Sequence, residues 1–357
     1  MTRTRRWRLG PAALVGAIVL GAQPALACGG LVGPGGTVQL ARTTTLAGYA
    51  DGVEHYLTSF TYAGGGAKFG SIVPLPGIPT DVRKGGQWSL QRLILETQPQ
   101  GVSFAARAAA GEDAGTAQVL QTVRVDALDL TVLRGGGRAV GDWARQRGFG
   151  LSVDAPEVLD FYAARSPIFL AASFDARRAE ARGQRLGDGT PIHLTIPTDQ
   201  AWVPLRILGL GQQPDGAVQA DVYLLTERRP ALLPAPSPGM SLEQSRPASP
   251  QLLADLRADQ GMGWLPASGM WLSYLRVDTT AGQLTHDLAV DASGRGQPSP
   301  VAAGLIVPEA VAGSDRQAPA GPPAGAARAW WWPAAALVVV AGLTGLVLAR
   351  RGRSAPR

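Results

Sequence analysis

The chain has 357 residues, 45% of them hydrophobic and 17% charged, a composition that allows a sizeable buried core without disulfides. Its formal charge of +6 does not indicate nucleic-acid binding, because eight of its 33 basic residues are arginines within the first eight and last eight positions. The other 25 are outnumbered by 27 acidic residues. The single cysteine, Cys28, excludes an intramolecular disulfide.

The N-terminal segment has the three parts of a signal peptide. Four arginines precede an apolar stretch over residues 11–22, and Ala25 and Ala27 form the small-residue cleavage pattern. We therefore predict a signal peptide over residues 1–27, cleaved after Ala27. A permanent N-terminal anchor is the alternative, but the apolar stretch is shorter than the ~20 residues that a membrane-spanning helix needs.

Cys28 would be the first residue of the mature chain, where it is either lipidated or a free thiol. A lipidation signal needs a Leu-like residue three positions before the cysteine, and Ala25 occupies that place. This favours the free thiol, and the two alternatives make different predictions about membrane attachment. The residues expected to take part in processing are thus Ala25, Ala27 and Cys28.

Residues 28–307 combine strand and helix patterns in an irregular order. Apolar alternation or short apolar runs predict strands over residues 37–49, 53–62, 69–75, 121–133, 168–174, 192–196, 202–210, 218–226, 271–277 and 284–290. Amphipathic spacing predicts helices over residues 88–97, 138–147, 155–164 and 252–260. Because no regular βαβ repeat is present, we predict a β-rich α+β exported domain.

Two connections in this domain have clear signals. Ala50-Asp51-Gly52 is a plausible hairpin turn between the first two strands, since Asp and Gly tolerate positive φ angles. Residues 229–250 are rich in proline, which favours a long surface loop over regular structure.

The C-terminal end predicts a membrane anchor. Residues 308–329 are rich in Pro, Ala and Gly, which is typical of a flexible stalk. Residues 330–349 are uncharged and begin with three tryptophans, and a helix over these 20 positions would span about 30 Å, the hydrocarbon thickness. The arginines of residues 350–357 indicate a cytoplasmic tail, so the globular domain would lie outside the cytoplasm.

Several motifs, in this order, resemble a bacterial family called domain of unknown function 2330. They are Cys28-Gly29-Gly30, a run ending in Pro74-Leu-Pro76, the helix VGDWARQRGF at 140–149, WVPLRIL at 202–208 and DVYLLT at 221–226. The resemblance covers about residues 28–230. It implies export and a similar architecture but no reaction, cofactor or catalytic residue. This chain lacks the second cysteine that many members have soon after the first.

No motif for catalysis, a cofactor or a metal is found. His55, His193 and His286 lie far apart and lack the spacing of paired metal ligands. Neither a nucleophile elbow nor a phosphate-binding loop is present. Arg206 is unusual because it lies in an apolar segment, and we expect it to pair with a carboxylate or to point outward. We therefore predict no catalytic, cofactor-binding or metal-binding residues.

The sequence thus favours a non-catalytic domain of the cell envelope or cell surface that binds an unidentified partner. The alternative is an exported hydrolase without a recognisable motif. A pocket with convergent polar groups and perturbed pKa values would favour the enzyme. A broad apolar or aromatic patch would favour binding of another macromolecule.

Overall fold

A computed structural model describes residues 30–32, 42–60, 70–97, 117–184 and 189–306. The segments predicted as signal peptide, stalk, membrane-spanning helix and basic tail lie outside these residues, as do Ala25, Ala27 and Cys28. Within the described part, none of the helices combines the length and the apolar character needed to cross a membrane.

The described residues form fifteen β-strands and five α-helices, which confirms the prediction of a β-rich α+β domain. The strands are β1 (Gly30–Val32), β2 (Thr43–Ala50), β3 (Val53–Phe60), β4 (Gly70–Leu75), β5 (Asp81–Lys84), β6 (Gln118–Val125), β7 (Leu128–Arg134), β8 (Ile168–Phe174), β9 (Thr190–Pro197), β10 (Trp202–Val203), β11 (Ala217–Thr226), β12 (Ala231–Leu233), β13 (Met240–Pro247), β14 (Trp271–Thr280) and β15 (Leu288–Asp291). The helices are α1 (Trp88–Thr97), α2 (Gly137–Gln146), α3 (Ala155–Ala163), α4 (Ala176–Ala181) and α5 (Pro250–Arg257).

The largest sheet has seven strands in the order β13-β14-β11-β2-β3-β9-β5. Neighbouring strands are antiparallel except β2 and β11, which run parallel. The β2–β3 hairpin confirms the predicted turn, because Asp51 and Gly52 have φ angles of 51° and 73°, as a two-residue type I′ turn requires.

The other two sheets are β1-β4-β8-β7-β6 and β10-β15-β12, both antiparallel. They pack on one face of the seven-stranded sheet, while α1 and α5 cover its other face and α2 and α3 cover the five-stranded sheet. Alternate residues of a strand therefore enter different cores. Leu170 of β8 packs between the sheets, whereas its neighbour Phe169 packs under α2 and α3.

The prediction of a strand over residues 202–210 was wrong beyond Val203. The chain leaves β10 at Pro204, which cannot donate a hydrogen bond to a sheet, and forms a 3-10 helix over Arg206–Gly209. The Asp287 carboxylate accepts hydrogen bonds from the backbone N–H groups of Leu205 and Arg206, at 2.6 and 2.9 Å, and thereby fixes the start of this helix.

Other predictions of local structure were also wrong. The strand predicted over residues 284–290 begins only at Leu288. The single strand predicted over residues 121–133 lies within the hairpin of β6 and β7, which turns at Asp126 with a φ angle of 51°. The surface loop predicted over residues 229–250 contains β12 and β13. Strand β13 lies at an edge of the seven-stranded sheet, where its many polar side chains can face solvent.

Candidate functional site

A fully buried glutamate distinguishes the core between the sheets. Glu54 lies in β3 opposite Tyr49 of β2 and Ile196 of β9, and it is only 1% exposed. Neither of its carboxyl oxygens has a hydrogen-bond partner in the described part of the chain. Burial raises the pKa of Glu54 to about 8, and the nearby backbone of Trp202 offsets only part of this effect. The side chain is therefore predominantly a neutral carboxylic acid at pH 7.

Glu54 lines a small cavity that lies next to a larger pocket. The cavity has a volume of about 10 Å³, room for roughly one water molecule. Tyr49, Ala201 and Val290 line this cavity together with Glu54, and the same three residues also line a pocket of about 200 Å³. The buried carboxyl group and the larger pocket are thus joined by a shared wall.

The larger pocket is strongly polar and opens between two loops, residues 198–201 and 291–299. The polar side chains that line it are Tyr49, Asp199, Gln200, Asp291, Ser293, Arg295, Gln297 and Ser299. A hydrogen bond of 3.1 Å from Ser299 Oγ to Gln200 Oε1 joins the two loops.

Asp291 organises the second loop. Its Oδ1 accepts hydrogen bonds from the Ser293 backbone and hydroxyl, at 2.8 and 2.6 Å, and its Oδ2 accepts one from Gln297 N at 2.8 Å. Burial opposes ionisation, but these hydrogen bonds dominate and hold the pKa of Asp291 below its usual value. Asp291 therefore carries a negative charge at the pocket while it holds the loop in place.

The surroundings of Tyr49 are acidic. Its hydroxyl group donates a hydrogen bond of 2.6 Å to the Thr198 carbonyl oxygen. Burial, followed by the acidic side chains of Glu54, Asp199 and Asp291, raises the pKa of Tyr49. Because Arg295 is the only basic residue in the described lining, the pocket favours positive charge over negative charge.

A second cluster of ionisable groups lies on the opposite face of the seven-stranded sheet. His55 Nδ1 is 3.2 Å from His193 Nε2, and Arg83 Nε donates to His193 Nδ1 at 3.3 Å. Since arginine keeps its proton, His193 Nδ1 must accept, so His193 Nε2–H donates to His55 Nδ1. This order of donors assigns the remaining proton of neutral His55 to Nε2.

The geometry of the two histidines excludes a metal ion between them. The ring planes of His55 and His193 differ by 6°. The ring centroids are 5.3 Å apart, whereas the two hydrogen-bonded nitrogen atoms are 3.2 Å apart. The difference is roughly two ring radii, so the two nitrogen atoms lie between the two centroids. The rings therefore lie side by side, nearly coplanar, and the His55 lone pair is aimed at the other ring. Burial lowers the pKa values to about 4 for His55 and about 3 for His193, so both are neutral at pH 7.

Trp264 covers this histidine pair. Its ring stacks on His55 with a centroid distance of 4.1 Å and an interplanar angle of 2°. The same ring lies against the backbone of Gly48, where a Cβ atom would be only 2.1 Å from the indole. The indole ring thus packs on His55 and on a position where only a residue without a Cβ atom fits. This arrangement indicates that the histidine pair has a packing role.

Asp287 forms a third cluster, in which both of its carboxylate oxygens are engaged. This fully buried carboxylate pairs with Arg165 and accepts a hydrogen bond of 2.8 Å from Tyr162 OH, in addition to the two backbone N–H groups of the 3-10 helix. Its acceptor sites are occupied, so the cluster is structural. Arg206, which the sequence singled out, forms an ion pair with Glu157, and this confirms the expected pairing with a carboxylate.

The structure brings together residues that the sequence placed far apart. His55 and His193 are hydrogen-bonded, whereas His286 is half-buried and lies within hydrogen-bond distance of the exposed Thr285. Across the described residues, no group of three or more His, Cys, Asp and Glu side chains could hold a metal ion. Glu54 was not singled out from the sequence, although it is the most perturbed unpartnered group in the described structure.

Comparisons of the sequence and the structure with known proteins identify one matching family and do not indicate an activity. A family model described as "Uncharacterized protein conserved in bacteria (DUF2330)" matches residues 22–235. One solved structure, from the crystal structure of the caspase-8/P35 complex, aligns with a TM-score of 0.34 and 9% identity over 71% of this chain and 96% of that chain. A similarity of this size supports no inference. No curated protein matches the sequence.

Proposed function

The chain belongs to the bacterial family DUF2330, and we propose that the pocket beside Glu54 makes this member a non-catalytic domain that binds a small polar ligand. The observation that carries the proposal is the wall shared by the pocket and the cavity of Glu54. A fully buried, unpartnered carboxyl group is costly, and such groups are concentrated at functional sites. The volume of about 200 Å³ fits a ligand smaller than most drug molecules.

The arrangement of the polar groups favours binding over catalysis. Asp291 holds its own loop, and the Tyr49 hydroxyl donates to the backbone. A hydrolase needs an acid or base within hydrogen-bond reach of the substrate. Glu54 has the raised pKa of a general acid, which is the one observation that favours the alternative of a hydrolase. Its cavity, however, has room for about one water molecule.

We further propose that the domain lies outside the cytoplasm. The charged, apolar and small-residue parts of residues 1–27 support a signal peptide, and the apolar run of residues 330–349 followed by arginines supports a single membrane anchor. A ligand from the cell envelope or from outside the cell would then have access to the pocket.

The binding function can be tested by filling the pocket. Gln200 is an exposed residue of the lining, so Gln200→Trp should place an indole in the pocket without disturbing the core. We expect compounds from a screen of small polar molecules to raise the melting temperature of the full-length protein in detergent, and Gln200→Trp to abolish the shift. Gln91→Trp, an equally exposed change on α1, is the matched control and should keep it. If no compound binds, or if Gln200→Trp binds all of them normally, the pocket is not the site.

A hydrolytic activity would give a different result. It would appear as turnover of ester, amide or glycoside substrates that is lost in Glu54→Gln while the protein stays folded. That outcome would replace binding by catalysis as the function of the same site.

A further inference from the structure

We infer that the ligand of this pocket is a small organic cation, with an ammonium-type group held against Tyr49 between Asp199 and Asp291. The inference rests on the proposed binding function and adds the chemical class of the ligand. Three independent features of the site point to it: the charge of the lining, the aromatic ring and the buried carboxyl group.

The charge of the lining comes first. Asp199 and Asp291 line the pocket together with one basic residue, Arg295, so acidic residues outnumber basic ones in the lining. Glu227 adds to the negative field at Tyr49. An anion would have to enter against these carboxylates, and a purely apolar ligand would remove water from polar groups without replacing their hydrogen bonds. A cation has neither disadvantage, because it is not repelled by the carboxylates and can interact with the polar groups.

The aromatic ring is the second feature. Tyr49 belongs to both linings and therefore lies between the pocket and Glu54. Organic cations are recognised on the faces of tyrosine and tryptophan rings, where the ring quadrupole attracts positive charge. Because the Tyr49 hydroxyl is tied to Thr198 O, the ring is fixed in position before a ligand arrives.

The buried carboxyl group is the third and separate feature. Glu54 is fully buried, and both of its oxygens lack a partner in the described part of the chain. Its cavity has one other titratable group, Tyr49 of β2. The other residues of its walls, from β2, β10, β11, β15 and the loop before β10, have no ionisable side chain: Ala47, Ala201, Trp202, Val203, Leu224, Thr226 and Val290. No fixed positive charge is therefore in place beside this carboxyl group.

A bound cation would supply that charge. Its field favours the ionised form of Glu54, so binding should be coupled to loss of the carboxyl proton to solvent: Glu54–COOH becomes Glu54–COO⁻ and H⁺. By the same linkage, affinity for a permanently charged cation should increase as pH rises towards the pKa of Glu54 in the free protein.

A set of compounds that share a cyclohexyl ring and differ in charge tests the charge preference. We propose calorimetric titration of the full-length protein with cyclohexyltrimethylammonium, cyclohexanol and cyclohexanecarboxylate. The cation should bind at least tenfold more tightly than the alcohol, and the carboxylate should not bind. Asp199→Asn should weaken cation binding roughly fivefold, in the range of an exposed ion pair, whereas Asp215→Asn, exposed and outside the lining, should not.

The role of Glu54 has its own readout. Titrations at pH 7 in two buffers of different ionisation enthalpy measure the protons released, which should approach one per cation bound. Glu54→Gln should bind the cation without this release. If Glu54→Gln released as many protons as the natural protein, Glu54 would not be the group that ionises when the cation binds. If the alcohol or the carboxylate bound as tightly as the cation, the inference of a cationic ligand would be wrong. The proposed binding function would still be supported if Gln200→Trp abolished the binding of other compounds from the screen.

Discussion

At the scale of single residues, Glu54 makes the stability of the folded domain depend on pH. In the unfolded chain this carboxyl group ionises near its ordinary value of 4.5, whereas in the folded domain its pKa is about 8. Between these values the folded state binds more protons than the unfolded state, so the free energy of unfolding decreases as pH rises. At pH 7 the loss amounts to ~3 kcal/mol.

We predict that Glu54→Gln removes this dependence. The amide is nearly isosteric with the neutral acid, so at pH 7 the variant should be ~2–3 kcal/mol more stable than the natural protein. Near pH 4 the two proteins should have almost equal stability. Urea unfolding of the full-length protein at several pH values measures the difference. Glu180→Gln, at an exposed position of α4, is the control and should leave the profile unchanged. A stability gain that is the same at every pH would contradict the assignment.

The sequence of β3 shows why Glu54 could not be recognised in advance. In Val53-Glu54-His55-Tyr56-Leu57, alternation places Glu54 with Tyr56 on one face and His55 with Leu57 on the other. Both faces are buried, because helices cover one and a second sheet covers the other. One face thus has an acidic residue, Glu54, and the other has a histidine, His55, and the pattern cannot tell which of the two lacks a partner.

At the scale of elements, strand β2 and the segment before β14 depend on each other through Gly48 and Trp264. A methyl group at Gly48 would collide with the indole ring, which stacks on His55. We predict that Gly48→Ala displaces Trp264 and destabilises the domain by about 1–3 kcal/mol, the usual cost of overpacking.

Tryptophan fluorescence and urea unfolding would detect both effects of this substitution. Gly263→Ala is the matched control, because apart from its two chain neighbours nothing in the described structure lies within 4 Å of a Cβ at that position. It should leave the fluorescence and the stability nearly unchanged. A Gly48→Ala protein with unaltered fluorescence and stability would show that Trp264 does not pack on β2.

The accuracy of the sequence predictions varies with the type of signal. Helix α1 and strand β8 have the predicted bounds, since each carries an uninterrupted pattern of helical spacing or continuous burial. The β6–β7 turn was missed because Asp126 and Ala127 are not a typical turn pair. The pairing of His55 with His193 depends on β3 lying beside β9, which local pattern cannot reveal. The pocket likewise requires loops that are distant in sequence.

At the scale of the whole molecule, the predicted anchor gives a test of orientation. Residues 308–329 are rich in Pro, Ala and Gly and precede the apolar run, so added protease should cut there in intact cells and release a soluble domain. A chain truncated before residue 330 should leave the membrane. Retention of the truncated chain, abolished by Cys28→Ser, would show that Cys28 is lipidated. Protection of the domain until the cells are lysed would contradict the orientation.

The order of strands in the seven-stranded sheet also bears on how fast the domain folds. Strand β2 forms a local hairpin with β3, but its other neighbour is β11, so residue 43 pairs with residue 220. Strand β11 in turn pairs with β14, near residue 275. The entropy of closing such long loops is lost before the contacts form, which slows folding. The sheet can be completed only after β14, which ends at Thr280, has been synthesised, and until β11 has been synthesised β2 has an unpaired edge open to association with other chains.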